Sequence, residues 1–73
     1  MVTRYIAKVH DDGDIEICRS AMSRQAAEMQ GYAAFNDVSS ITAELGEYGV
    51  EHEAARVALK EVLKSEINEW VRV

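Results

Sequence analysis

Over residues 4–9, Tyr5, Ala7 and Val9 alternate with Arg4, Ile6 and Lys8. The alternation resumes over 15–18, with Ile15 and Ile17 against Glu16 and Cys18. A period of two is the mark of a half-buried strand, so residues 4–19 are predicted to form a β-hairpin. Its register follows from the faces. A two-residue loop at Asp12-Gly13 would pair Val9 with Glu16 and Lys8 with Ile17, mixing apolar and charged sides. A three-residue loop, Asp11-Asp12-Gly13, pairs Val9 with Ile15, Ala7 with Ile17 and Lys8 with Glu16. That register leaves one apolar face and sets a cross-strand Lys8–Glu16 ion pair on the other. It also puts Gly13 at the left-handed position of a type I turn with a G1 bulge, where glycine is favoured.

Beyond the hairpin the period lengthens. Residues 21–36 read as a helix capped by Ser20 or Ser23, with Met22, Ala26, Met29 and Ala33 at helical spacing and Gly31 as a weak point. Asn36-Asp37 breaks the pattern, and Ser39 or Ser40 can cap a short second helix carrying Ile41, Leu45 and Tyr48, ended by Gly46 or Gly49. The clearest helix is 51–69, where Ala55, Leu59, Val62, Leu63, Ile67 and Trp70 fall in one stripe. Val57 lies among its polar residues and Glu66 inside its apolar stripe. The tail, Trp70-Val71-Arg72-Val73, alternates and suits a short strand beside the hairpin, which needs a third strand or a helical cover to be stable. The expected fold is α+β: an N-terminal antiparallel hairpin packed on two or three helices, ββααα, with a short C-terminal strand.

The chain has 73 residues, enough for a single domain spanning 1–73 and a thin core. Eight Lys and Arg stand against thirteen Asp and Glu, a net charge of −5, which argues against a phosphate-backbone binder. Cys18 is the only cysteine, so no intrachain disulfide and no multi-thiolate metal site is available. The first ten residues lack the apolar stretch of a signal peptide, and no window approaches the ~18 apolar residues of a membrane span. A cytoplasmic protein is expected, without membrane attachment.

Candidate chemistry is sparse. His10, Asp11, Asp12, Asp14 and Glu16 crowd the hairpin tip, but the spacing fails the calcium-loop pattern, and aspartates favour exposed turns in any case. No metal site is assigned. Neither His10 nor His52 has a nucleophile motif nearby, and no P-loop, dinucleotide motif or zincin helix occurs. The reading is a non-enzymatic protein without a cofactor. Residues 40–59 have the flavour of a helix-turn-helix, but the alanine-to-glycine spacing is one residue short. The would-be recognition helix opens with Glu51, His52 and Glu53, the wrong sign for phosphate.

An acidic face can serve solubility alone, or it can complement a basic partner. On the second view the partner-binding residues are Asp11, Asp12 and Asp14 at the tip with Glu28, Asp37, Glu44 and Glu47 in the middle of the chain. A small domain without staples also gains stability by associating, and Val57, Glu66 and Trp70 are the expected contacts of a homodimer.

In build (tiny, acidic, cysteine-poor, hairpin plus helices, no catalytic motif) the chain resembles the small inhibitors that phages and mobile elements carry against host defences, such as anti-CRISPR proteins. Those proteins share no single fold, so the resemblance assigns no binding residue. It implies a stoichiometric inhibitor that occludes a basic, nucleic-acid-binding surface of a host protein or ribonucleoprotein complex such as CRISPR-Cas, without contacting nucleic acid itself. The alternatives are a dimeric helix-turn-helix-like regulator or antitoxin, and a structural oligomer whose partner is itself.

Overall fold

The computed structural model describes residues 3–73. Its elements run β1 (Arg4–Val9), β2 (Ile15–Ser20), α1 (Arg24–Met29), β3 (Ala33–Phe35), α2 (Val38–Glu47), α3 (His52–Lys64) and β4 (Val71–Arg72). The strands form one antiparallel sheet in the order β3-β1-β2-β4. The fold is α+β, with the N-terminal hairpin at the centre of the sheet and the C-terminal strand at one edge.

The hairpin register is the one that the apolar face demands: Val9 opposite Ile15, Ala7 opposite Ile17 and Lys8 opposite Glu16. His10 N–H donates to the Asp14 carbonyl at 2.8 Å and Gly13 N–H to the His10 carbonyl at 3.0 Å, closing the three-residue loop. Gly13 sits at φ +92°, the left-handed region that a side chain resists. The Lys8–Glu16 ion pair does not form. Glu16 instead pairs with His10, and the Lys8 ammonium lies 5.8 Å from the Tyr32 ring centroid and 6.0 Å from that of Trp70. Two aromatic faces at that range attract the cation, so the ring pair replaces the carboxylate as its neighbour.

The helix expected over 21–36 is shorter than its pattern. Ser23, not Ser20, caps it, its Oγ accepting from Ala26 N–H at 3.1 Å. It ends at Met29. Gly31, at φ +83°, turns the chain through a Schellman motif, with Tyr32 N–H on the Ala27 carbonyl and Gly31 N–H on that of Glu28. Ala33–Phe35 then extends as β3 along β1. A glycine that costs little as a left-handed cap, next to an open sheet edge, wins over continued helix.

The next helix starts two or three residues earlier than Ser39 or Ser40 would place it. Asp37 is the cap, its Oδ1 accepting from Ser40 N–H at 2.8 Å. Gly46 lies within α2, and Gly49 closes it by a second Schellman motif. The last helix is also shorter than expected. It stops at Lys64, leaving Glu66 and Ile67 in a turn and Trp70 off the helix altogether. The cause is tertiary. The Arg19 guanidinium donates from Nε to the Val62 carbonyl at 3.1 Å, which also accepts from Ser65 N–H, and from its other arm to the Ser65 carbonyl, holding the helix end with a cation. Asn68, at φ +70°, turns the chain and donates its N–H to the Arg19 carbonyl at 2.7 Å, delivering 70–73 to the edge of β2.

The sheet is buried on both sides, not on one. Ala7, Ile15 and Ile17 meet Ile41 and Leu45 of α2 and Ala55, Ala58, Leu59 and Val62 of α3, forming the main core. The opposite face carries a smaller cluster of Ile6, Cys18, Ala27 and Ala34, flanked by Met22, Tyr32 and Trp70. Ile6 and Cys18, assigned to the polar side of the hairpin by alternation, are therefore core residues.

Candidate functional site

The direction of α3 sets the charge layout. Its first half lies beside β4, where Ala54, Val57 and Ala58 share a groove with Val71 and Val73. Its last turn is held by Arg19, at the far end of β2. Val73 N–H donates to the Ile15 carbonyl, next to the hairpin loop, at 2.8 Å. The start of α3, the end of α2 and the hairpin tip therefore gather at one end of the molecule. That end holds Asp11, Asp12, Glu47, Glu51 and Glu53, all exposed.

The groove between α3 and β4 opens from this end. It has a volume of about 390 Å³ and is lined by Glu51, Glu53, Ala54, Val57, Ala58, Glu61 and the β4 residues Val71, Arg72 and Val73. Its floor is apolar and its rim carries three carboxylates. Glu53 pairs with Arg56 at 3.1 Å, and the Arg72 side chain turns to Asp14 at 3.4 Å.

Two smaller hollows differ in character. One, about 230 Å³, lies on the opposite face of the sheet beneath the edge-to-face pair of Tyr32 and Trp70, whose ring centroids are 5.3 Å apart. Cys18 lines it, only 2% exposed, and burial pushes its thiol up. A thiol so placed stays protonated at neutral pH and is no activated nucleophile. The other, about 180 Å³, lies between α2 and α3, with Val38, Leu59 and Leu63 at its floor and Arg56 and Lys60 at its rim. Among the described residues, no group of three or more His, Cys, Asp or Glu is placed to hold a metal ion. None of the helices described is long and apolar enough to cross a membrane.

The acidic residues singled out in the sequence do not form one surface. Asp11 and Asp12 project from the tip, while Asp14 is tied to Arg72. Glu44 and Glu47 lie on α2, which covers one face of the sheet; Glu28 lies on α1, which covers the other. Asp37 is occupied as the cap of α2. The Ser40 backbone N–H and then its hydroxyl hold its carboxyl below the usual aspartate range. The expected dimer contacts are dispersed too. Val57 is 54% exposed on the groove, Glu66 is exposed in the turn after α3, and Trp70 packs against Tyr32 on the opposite face.

Glu51, Glu53 and Glu61 were not among the partner-binding residues read from the sequence, nor were Ala54, Val71 and Val73. Charge pattern identifies the three glutamates as polar positions on a helix. Only the pairing of β4 with β2 shows that they overhang a strand edge. Comparison with known proteins gives no match to a family model, a curated protein or a solved structure.

Proposed function

We propose that this protein acts by binding rather than by catalysis, covering a basic surface of a host protein or ribonucleoprotein that otherwise holds nucleic acid. It would do so in the cytoplasm, as the anti-CRISPR type of phage and mobile-element inhibitor does. The observation that carries this reading is the gathering of Asp11, Asp12, Glu47, Glu51 and Glu53 at one end, with Glu61 farther along the same groove. Carboxylates held on a folded frame offer a charge-complementary face without the entropy cost of ordering a loose acidic tail.

One feature favours the regulator reading instead: α2 and α3 follow each other across a short turn, Tyr48–Glu51, as in a helix-turn-helix. The inward side of α3, with Ala55, Leu59 and Val62, is committed to the sheet, and its N-terminus presents Glu51 and Glu53. That end would meet phosphate with the wrong sign.

The test is competition. The protein should release labelled guide RNA or target DNA from purified CRISPR-Cas complexes, or block its binding. Glu47→Lys with Glu51→Lys should slow association about tenfold at low salt, and less at high salt. Unchanged kinetics in that folded double variant would remove the acidic end from the mechanism.

A further inference from the structure

We infer that the outer edge of β4 takes up an extended, basic segment of the partner as a fifth strand of the sheet. The inference rests on the binding reading above and specifies the place and the chemistry of engagement. Val73 N–H points inward to Ile15, and Val71 lies opposite Ile17 in the same register. In an antiparallel ladder, alternate residues turn their backbone groups to opposite sides. The N–H and C=O of Arg72 therefore point away from β2, along the open edge. An edge of this kind is a template for another strand.

The groove supplies the rest of such a site. A strand laid beside β4 places every second side chain on the α3 side, against Ala54 and Val57. Val57 is 54% exposed and has no role in the core, so an apolar side chain there would cover surface that the fold leaves open. Beyond the Glu53–Arg56 pair, Glu51 and Glu61 line the same groove and call for lysine or arginine on the incoming segment. A second copy paired through β4 would instead bring two sets of these carboxylates together. The favoured occupant is a basic strand of another protein.

The test is a titration of the isotope-labelled protein with an extended peptide whose every second residue is in turn valine and lysine, with serine between, so that one face carries both, followed by amide shifts and hydrogen exchange. Binding should shift the amides of Val71, Arg72 and Val73 and slow exchange at Arg72. Arg72→Pro removes the outward N–H and keeps the pairing with β2, and it loses the side-chain pair with Asp14 just as Arg72→Ala does; it should weaken binding about tenfold relative to Arg72→Ala, the loss of one edge hydrogen bond. Arg72→Ala should bind nearly as the parent does. Val57→Lys, at an exposed position, removes the apolar contact and sets a like charge against the basic segment; it should abolish binding with the fold intact and serves if Arg72→Pro does not fold.

Equal affinities for Arg72→Pro and Arg72→Ala would overturn strand addition. Shifts confined to Asp11, Asp12 and Glu47 would also overturn it, while leaving the acidic end as a binding surface. Concentration-dependent shifts at β4 without peptide would show a second copy on the edge and overturn the basic segment. No shift anywhere would overturn strand addition, and the competition experiment alone then decides the binding reading.

Discussion

The two faces of the sheet are built to different standards. On one, nine buried residues from two strands and two helices close a continuous core, with Ile17, Ile41 and Val62 fully buried. On the other, four buried residues lie beside a hollow of about 230 Å³, roofed by Tyr32 and Trp70. The difference has a plain cause. The first face is covered by helices of ten and thirteen residues, the second by the six residues of α1 and a few aromatic and thioether side chains. A long helix lays a row of apolar side chains along a strand, whereas one and a half turns cannot. Stability should therefore reside on the α2/α3 face.

Truncation on the two faces should expose the contrast most strongly. Ile17→Ala should cost about 4 kcal/mol, toward the upper end for a fully buried isoleucine, and Ile6→Ala about 2 kcal/mol, because the hollow beside it already forfeits packing. Urea denaturation of both variants measures the gap; equal losses would mean that the faces are equally well packed.

Arg19 joins the strong face to the C-terminal strand. Arg19→Ala leaves the carbonyls of Val62 and Ser65 without the guanidinium and should cost about 2 kcal/mol. Lysine keeps the charge but not the two-armed reach, so Arg19→Lys should recover less than half of that loss. A lysine variant as stable as the parent would show that charge alone holds the end of α3.

Outside both faces, effects should be smaller. Gly13→Val places a β-branched residue at φ +92° with no atom within 4 Å of the new Cβ, so its cost is backbone strain alone, about 1 kcal/mol or somewhat more. Asp12→Asn keeps the acceptor for Asp14 N–H and should be nearly silent. Thermal melts of the pair separate strain from hydrogen bonding.

The smallest effect concerns the cap of α2. The Asp37 carboxyl titrates below its ordinary range in the folded chain, so its contribution is complete above the unfolded aspartate value of about 3.9 and fades as pH falls through the lower folded one. Asp37→Asn, which can still accept from Ser40 N–H, should lose that part of the acid dependence. Parallel acid-denaturation profiles for parent and variant would exclude it.

The hairpin was legible in the sequence down to its register, because period-two alternation and one glycine admit a single pairing that keeps Val9, Ala7, Ile15 and Ile17 together. Fold class and the C-terminal strand followed from the same kind of signal. Other features were not visible. β3 was hidden because Ala33, Ala34 and Phe35 also fit a helical pattern, and only the exposed edge of β1 decides between the two. The second core cluster was hidden because Ile6 and Cys18 read as the polar side of a two-faced hairpin, although Ala34 lies beside Ile6 in the sheet and Ala27 of α1 packs on them. The end of α3 depends on Arg19, more than forty residues away in the chain. The candidate groove needs the register of β4 as well as the direction of α3, so its rim glutamates could not be told from other surface charges.

The most direct test of the functional reading is the anisotropy of labelled duplex DNA titrated with this protein alone and then with a basic host complex present. No rise should occur with the protein alone, and the signal produced by the host complex should fall as the protein is added. A rise at submicromolar protein, abolished by Arg56→Ala with Lys60→Ala, would contradict the inhibitor reading and make α3 a nucleic-acid-binding helix.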